Sequence, residues 1–124
     1  MTYPNLTLTL DRGELLCQGN YVDGAWRPGR AGCRYPVVNP ADGQAFAEVP
    51  DSDETDARDA ADSAARAFEG WRARSARERA ALLKRWHALI LANKEDLARL
   101  ISREQGKPLA EARGEVLYGA SYVE

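Results

Sequence analysis

From Leu82 onward, Leu82, Leu83, Trp86, Leu89, Ile90, Leu97, Leu100 and Ile101 recur at steps of three and four, the spacing that gathers side chains on one stripe of a helix. The helix has a clear start, because Ser75 and Glu78 stand three apart and each side chain can accept from the other's free backbone N–H. Asn93 interrupts the stripe and has Asp96 three residues on, which predicts a re-capped break and two consecutive helices rather than one rod. Gly106 suits the left-handed conformation that closes a helix, and Pro108 suits the opening of the next, where its missing N–H is not needed. That next helix puts Leu109, Ala112, Val116, Ala120 and Val123 on one face, with no stop signal before Glu124, so it reads as cut in mid-helix.

Upstream the period changes. Leu6, Leu8 and Leu10 alternate with threonines, so residues 5–10 form either a short strand or a loosely held arm, and their terminal position favours the arm. In Tyr21-Val22-Asp23-Gly24-Ala25-Trp26 the Asp-Gly pair between short apolar pairs predicts a tight hairpin. Pro28 to Gly32 reads as a loop, and Cys33 to Val38 as extended. Asn39-Pro40-Ala41-Asp42-Gly43 makes a turn, and Ala45 to Val49 returns as a strand that Pro50 stops.

A helix then starts after Ser52 or Asp53, either of which can cap it, with Asp53, Glu54, Asp56 and Asp59 at the end where the dipole favours negative charge. Its expected inward stripe is Ala57, Ala60, Ala61, Ala64, Phe68 and Trp71, and Gly70 marks its end. The fold class that follows is α+β: short antiparallel hairpins over about 15–50, then three or four helices over about 53–124.

At 124 residues, 44% hydrophobic and 29% charged, the chain is the size of one domain and too apolar to be disordered. A net charge of −2 gives no general attraction to nucleic acid or to an anionic membrane. No apolar run approaches the roughly 20 residues that span a bilayer, and no basic-then-apolar leader opens the chain, so a cytoplasmic protein is expected. Cys17 and Cys33, with His87 as the one histidine, are too few for a zinc site, and read as reduced, half-buried residues.

Few patterns carry chemistry. Gly106-Lys107 lacks the upstream glycine of a phosphate-binding loop and has Pro108 where a magnesium-binding Ser or Thr belongs. No Gly-x-Gly-x-x-Gly follows a strand. His87 stands beside Trp86 with no carboxylate or thiol at a catalytic spacing and reads as a packing or surface residue. The cluster Arg72, Arg74, Arg77, Arg79, Lys84 and Arg85 lies near Glu69 and Glu78, which predicts a solvated, salt-bridged face.

The ordered set of hairpin, Asn39-Pro40-Ala41-Asp42-Gly43, alanine-rich helix ending in Trp71, Arg77-Glu78-Arg79 and Glu104-Gln105-Gly106-Lys107-Pro108 resembles the N-terminal part of the aldehyde dehydrogenase superfamily. The resemblance covers nearly everything from Leu15 to Glu124. Within that superfamily, Glu104 to Ala112 followed by Gly114-Glu115 and Tyr118 looks most like succinate-semialdehyde dehydrogenases.

The resemblance implies residues 1–124 as an N-terminal segment of a cofactor-binding domain. In the whole enzyme it implies NAD or NADP as cofactor, a semialdehyde as substrate and a homo-oligomeric assembly. The family oxidises its aldehyde through a cysteine thioester, which splits one hard step into two easier ones. The residues that do so are expected beyond Glu124, so neither Cys17 nor Cys33 inherits the nucleophile's role and the catalytic and cofactor-binding sets within this chain are empty. By the same resemblance, Val37, Val38 and Glu104 match positions that hold a structural Na+ or K+, and Glu115, Tyr118 and Tyr122 match a helix bordering the substrate entrance. The plainer alternatives are that Glu104 pairs with Arg103 or Lys107, and that the α-helical tyrosines form an ordinary face. A second functional class is a free-standing helical interaction module derived from a truncated dehydrogenase gene.

Overall fold

A computed structural model describes residues 8–124, beginning in a segment without regular structure at Leu8 to Leu10. The expected arm agrees with that stretch, and its first residues, 5–7, lie outside the described ones. Asp96 holds the arm in place. Its two carboxylate oxygens accept from the backbone N–H groups of Asp11 (2.9 Å) and Arg12 (2.8 Å), and Arg99 donates to the same carboxylate at 3.0 Å. A 3₁₀ turn at Gly13–Leu15 follows.

Two separate two-stranded antiparallel sheets come next: β1 (Asn20–Val22) with β2 (Ala25–Arg27), and β3 (Arg34–Val38) with β4 (Ala45–Pro50). The first hairpin turns where the Asp-Gly pair predicts, with Asp23 and Gly24 at φ 54° and 74°. Tyr21 and Trp26 lie opposite each other across it, ring centroids 5.1 Å apart. The second hairpin differs from expectation at its far end. Pro50 does not stop β4 but closes it, buried and registered opposite Arg34, at a strand end, where a missing N–H is tolerated.

Helix α1 (Glu54–Ala73) is capped by Asp53, whose side chain accepts from Thr55 and Asp56 N–H while Asp56 reaches back to the Asp53 N–H. Gly70 was expected to end it, yet the helix continues to Ala73, and no positive φ is found at Gly70. The stop is set instead by the neighbour. Arg74 turns extended and Ser75 immediately begins α2 (Ala76–Ala92) with the expected Ser75–Glu78 capping box.

The expected inward stripe of α1 also needs correction, because Ala57, Ala61, Ala64 and Phe68 are exposed. The face actually covered is one residue round, through Asp56, Ala60 and Ser63, where the loop at Gly29 and Arg30 meets Asp56 and Asp59.

The break at Asn93 is present, although by a different device. Asn93 makes no side-chain cap to α3 (Lys94–Gln105); its amide donates back to Leu89 O at 2.7 Å, while Asp96 is committed to the arm. Gly106 ends α3 at φ 72°, and after Lys107-Pro108 the chain enters α4 (Leu109–Ser121). Tyr122 caps α4, so the last three residues leave the helix rather than continuing it to Glu124 as expected.

The core lies where α2, α3 and α4 meet. Ala98 and Ala112 are wholly buried with Val116, and Ile90, Leu97, Ile101 and Leu109 pack around them. Alanines at the crossing let α3 and α4 approach closely. The core is small, and several apolar positions of α2 face outward: Trp86 is 56% and Leu89 57% exposed.

Two predictions follow from these contacts. A Cβ at Gly106 would sit 2.8 Å from Pro40 Cγ and would have to adopt φ 72°, whereas one at Gly43 would meet nothing, at φ 71°. Gly43→Ala should therefore cost about 1–2 kcal/mol for the left-handed conformation alone, and Gly106→Ala more than that, as read by urea unfolding. Equal losses would show that the contact with Pro40 carries no weight.

The second concerns pH. The N–H of Asp11, then that of Arg12 and the Arg99 guanidinium, hold the Asp96 carboxyl below the usual aspartate range, against the opposing effect of its burial. A depressed carboxylate contributes stability that is fully present above its unfolded value and is lost as pH falls through the folded one. Wild type should therefore melt higher than Asp96→Asn at neutral pH, with the gap closing only below the ordinary aspartate range. A gap that is constant with pH would assign the effect to packing.

Candidate functional site

The Asn39–Gly43 turn is built by its own sequence. Asn39 Oδ1 accepts from Ala41 N–H at 3.1 Å, Asn39 O from Gly43 N–H at 2.8 Å, and Asp42 Oδ1 from Gln44 N–H at 2.9 Å. Asn39 is only 4% exposed, so those bonds replace water its amide has lost. The turn is brought against the end of α3 from two sides. Pro40 fills the space that Gly106 leaves open, and Asp42 pairs with Arg103 at 3.3 Å, both side chains largely buried. Arg103 also lies over the Phe46 ring, 5.9 Å from its centroid. The Gln44 N–H foremost, helped by Asn39 and Arg103, holds the Asp42 carboxyl below its usual range.

This joint is where the resemblance puts a cation. Val37 and Val38 flank an irregularity in the β3–β4 ladder, since Val37 pairs with Ala47 and Val38 with Ala45, leaving Phe46 as an extra residue. Glu104 stands in the last turn of α3, exposed, and its carboxylate has no partner among the described residues. The plain alternative for Glu104 does not hold, because Arg103 pairs with Asp42 and Lys107 with Glu115. Backbone carbonyls, a helix C-terminus and a free carboxylate are the hard oxygen donors a monovalent cation takes. Among the described residues no three His, Cys, Asp or Glu side chains cluster as a metal centre. An open cleft of about 360 Å³ adjoins the joint, lined in part by Asn39, Ser102, Arg103 and Lys107.

The second expected group is partly assembled. Tyr118 and Tyr122, one helical turn apart, meet edge to face with centroids 5.0 Å apart and a hydrogen bond between their hydroxyls. That bond, with some burial, raises the Tyr122 phenol above its ordinary value. Both rings remain largely exposed, at 66% and 73%. Glu115 does not join the tyrosines through a bond of its own; it is engaged by Lys107 across the α3–α4 turn.

The basic corner between α1 and α2 is less paired than expected. Glu69 pairs with Arg72, but Glu78 is spent on capping Ser75, and Arg79 donates to the carbonyls of Arg72 and Arg74. Among the described residues Arg77, Lys84 and Arg85 carry no ion pair, so the face is solvated without being laced by salt bridges. Cys17 and Cys33 are unpaired thiols and both are exposed, not half-buried as expected. His87 is half-buried in α2. Sequence reasoning did not single out the Asp42–Arg103 pair or the Asp96 clamp, each of which joins elements more than 50 residues apart in the chain.

Residues 26–124 match the model of the aldehyde dehydrogenase family. The chain is 47% identical over 117 residues to a 3-sulfolactaldehyde dehydrogenase of Pseudomonas putida, covering 94% of this chain and 24% of that protein. With a succinate-semialdehyde dehydrogenase [NADP(+)] of Escherichia coli strain K12 the identity is 42%, with the same coverage of both proteins. An aldehyde dehydrogenase structure from Brucella melitensis biovar abortus 2308 superposes with a TM-score of 0.92 at 45% identity, over 94% of this chain and 24% of that one. The chain therefore belongs to the aldehyde dehydrogenase family. It matches the N-terminal part of these enzymes and spans about a quarter of their length.

Proposed function

We propose that these 124 residues form the N-terminal part of the cofactor-binding domain of an NAD(P)-dependent succinate-semialdehyde dehydrogenase, and serve it as scaffold rather than as a source of catalytic groups. The observation that carries this reading is the joint agreement of fold and sequence: a TM-score of 0.92 with a family structure, together with 42% identity to an enzyme named for succinate semialdehyde and NADP(+). A relative at 47% identity is named for 3-sulfolactaldehyde. Both names describe an aldehyde that carries an acidic group, which supports an anionic aldehyde as the substrate class. The nicotinamide cofactor, when bound, accepts the hydride; the thiol nucleophile and its base come from residues outside this chain. In this reading the whole enzyme is a cytoplasmic homo-oligomer; no described helix is long and apolar enough to cross a membrane.

Two sites belong to the proposal. Na+ or K+ binds between the Val37 and Val38 carbonyls and Glu104, a position supported by the unpartnered carboxylate and by the contact of the adjoining turn with the end of α3. The whole enzyme should then melt higher in KCl than in a tetramethylammonium salt of equal ionic strength, and Glu104→Gln should shrink the difference. No cation-specific shift in either protein would rule the site out.

Tyr118 and Tyr122, with Glu115 held by Lys107, border the path by which the substrate enters. Their hydrogen-bonded hydroxyls lie on an exposed face of α4, where a polar substrate can reach them. Tyr118→Ala in the whole enzyme should raise KM for succinate semialdehyde severalfold while leaving Tm nearly unchanged. A fall in Tm with unaltered kinetics would make the pair structural.

A further inference from the structure

No further inference is drawn: the strongest candidate, the open surface cleft at the end of α1 lined by the exposed Phe68 and Trp71, carries nothing because nothing in the structure shows what covers it.

Discussion

The contact between Gly106 and Pro40 is the constraint on which the arrangement depends. The absence of a side chain at residue 106 does two things at once: it allows the positive φ that ends α3, and it leaves room for the proline ring. The first lets the chain double back into α4, so that Ala98 and Ala112 meet in the core. The second fastens the β3–β4 hairpin to the helices. Asp42 and Arg103 add an ion pair beside that contact, largely removed from water and so less screened than the exposed pairs elsewhere in the chain.

The hairpins need such fastening. A two-stranded sheet is marginal in water by itself, and neither sheet here pairs with the other. The second is anchored through Pro40 and Asp42, and the loop between the sheets through Arg30 to Asp56 and Asp59 of α1. Among the described residues no large side chain is fully buried, while Trp26 of β2 and Phe68, Trp86 and Leu89 of the helices are each more than half exposed. Burying a large apolar side chain is worth about 1.5–3 kcal/mol, so these positions leave much stabilisation unused within the chain. The chain spans about a quarter of the length of the relatives it matches.

Local signals made most of the elements legible. The Ser75–Glu78 capping box, the Asp-Gly hairpin, the Asn-Pro turn and the left-handed Gly106 are decided by residues within five positions of one another, and each stands where the sequence placed it. What periodicity did not show is which face is covered. Ala57, Ala61 and Ala64 look like a packing stripe, but a stripe only says that a helix is amphipathic; the partner decides burial, and here the loop at Arg30 covers the adjacent face. Gly70 misled for a related reason, because a capped helix starting at Ser75 fixed the boundary more strongly than a glycine's weak helix preference. Asp96 shows the limit most plainly. Its place after Asn93 suggested a local cap, while its carboxylate is used by backbone 85 positions away. As for function, the family is written in ordered motifs.

The scaffold claim is tested most directly by grafting. Residues 8–124 replace the matching segment of the Escherichia coli succinate-semialdehyde dehydrogenase, with which the chain is 42% identical over 117 residues, and NADPH formation from succinate semialdehyde is followed at 340 nm beside that of the isolated chain. The account predicts that the graft folds and turns over within about tenfold of the parent, a loss of no more than ~1.4 kcal/mol in transition-state stabilisation, while the chain alone gives no NADPH. A folded graft without activity, or turnover by the isolated chain, would contradict it.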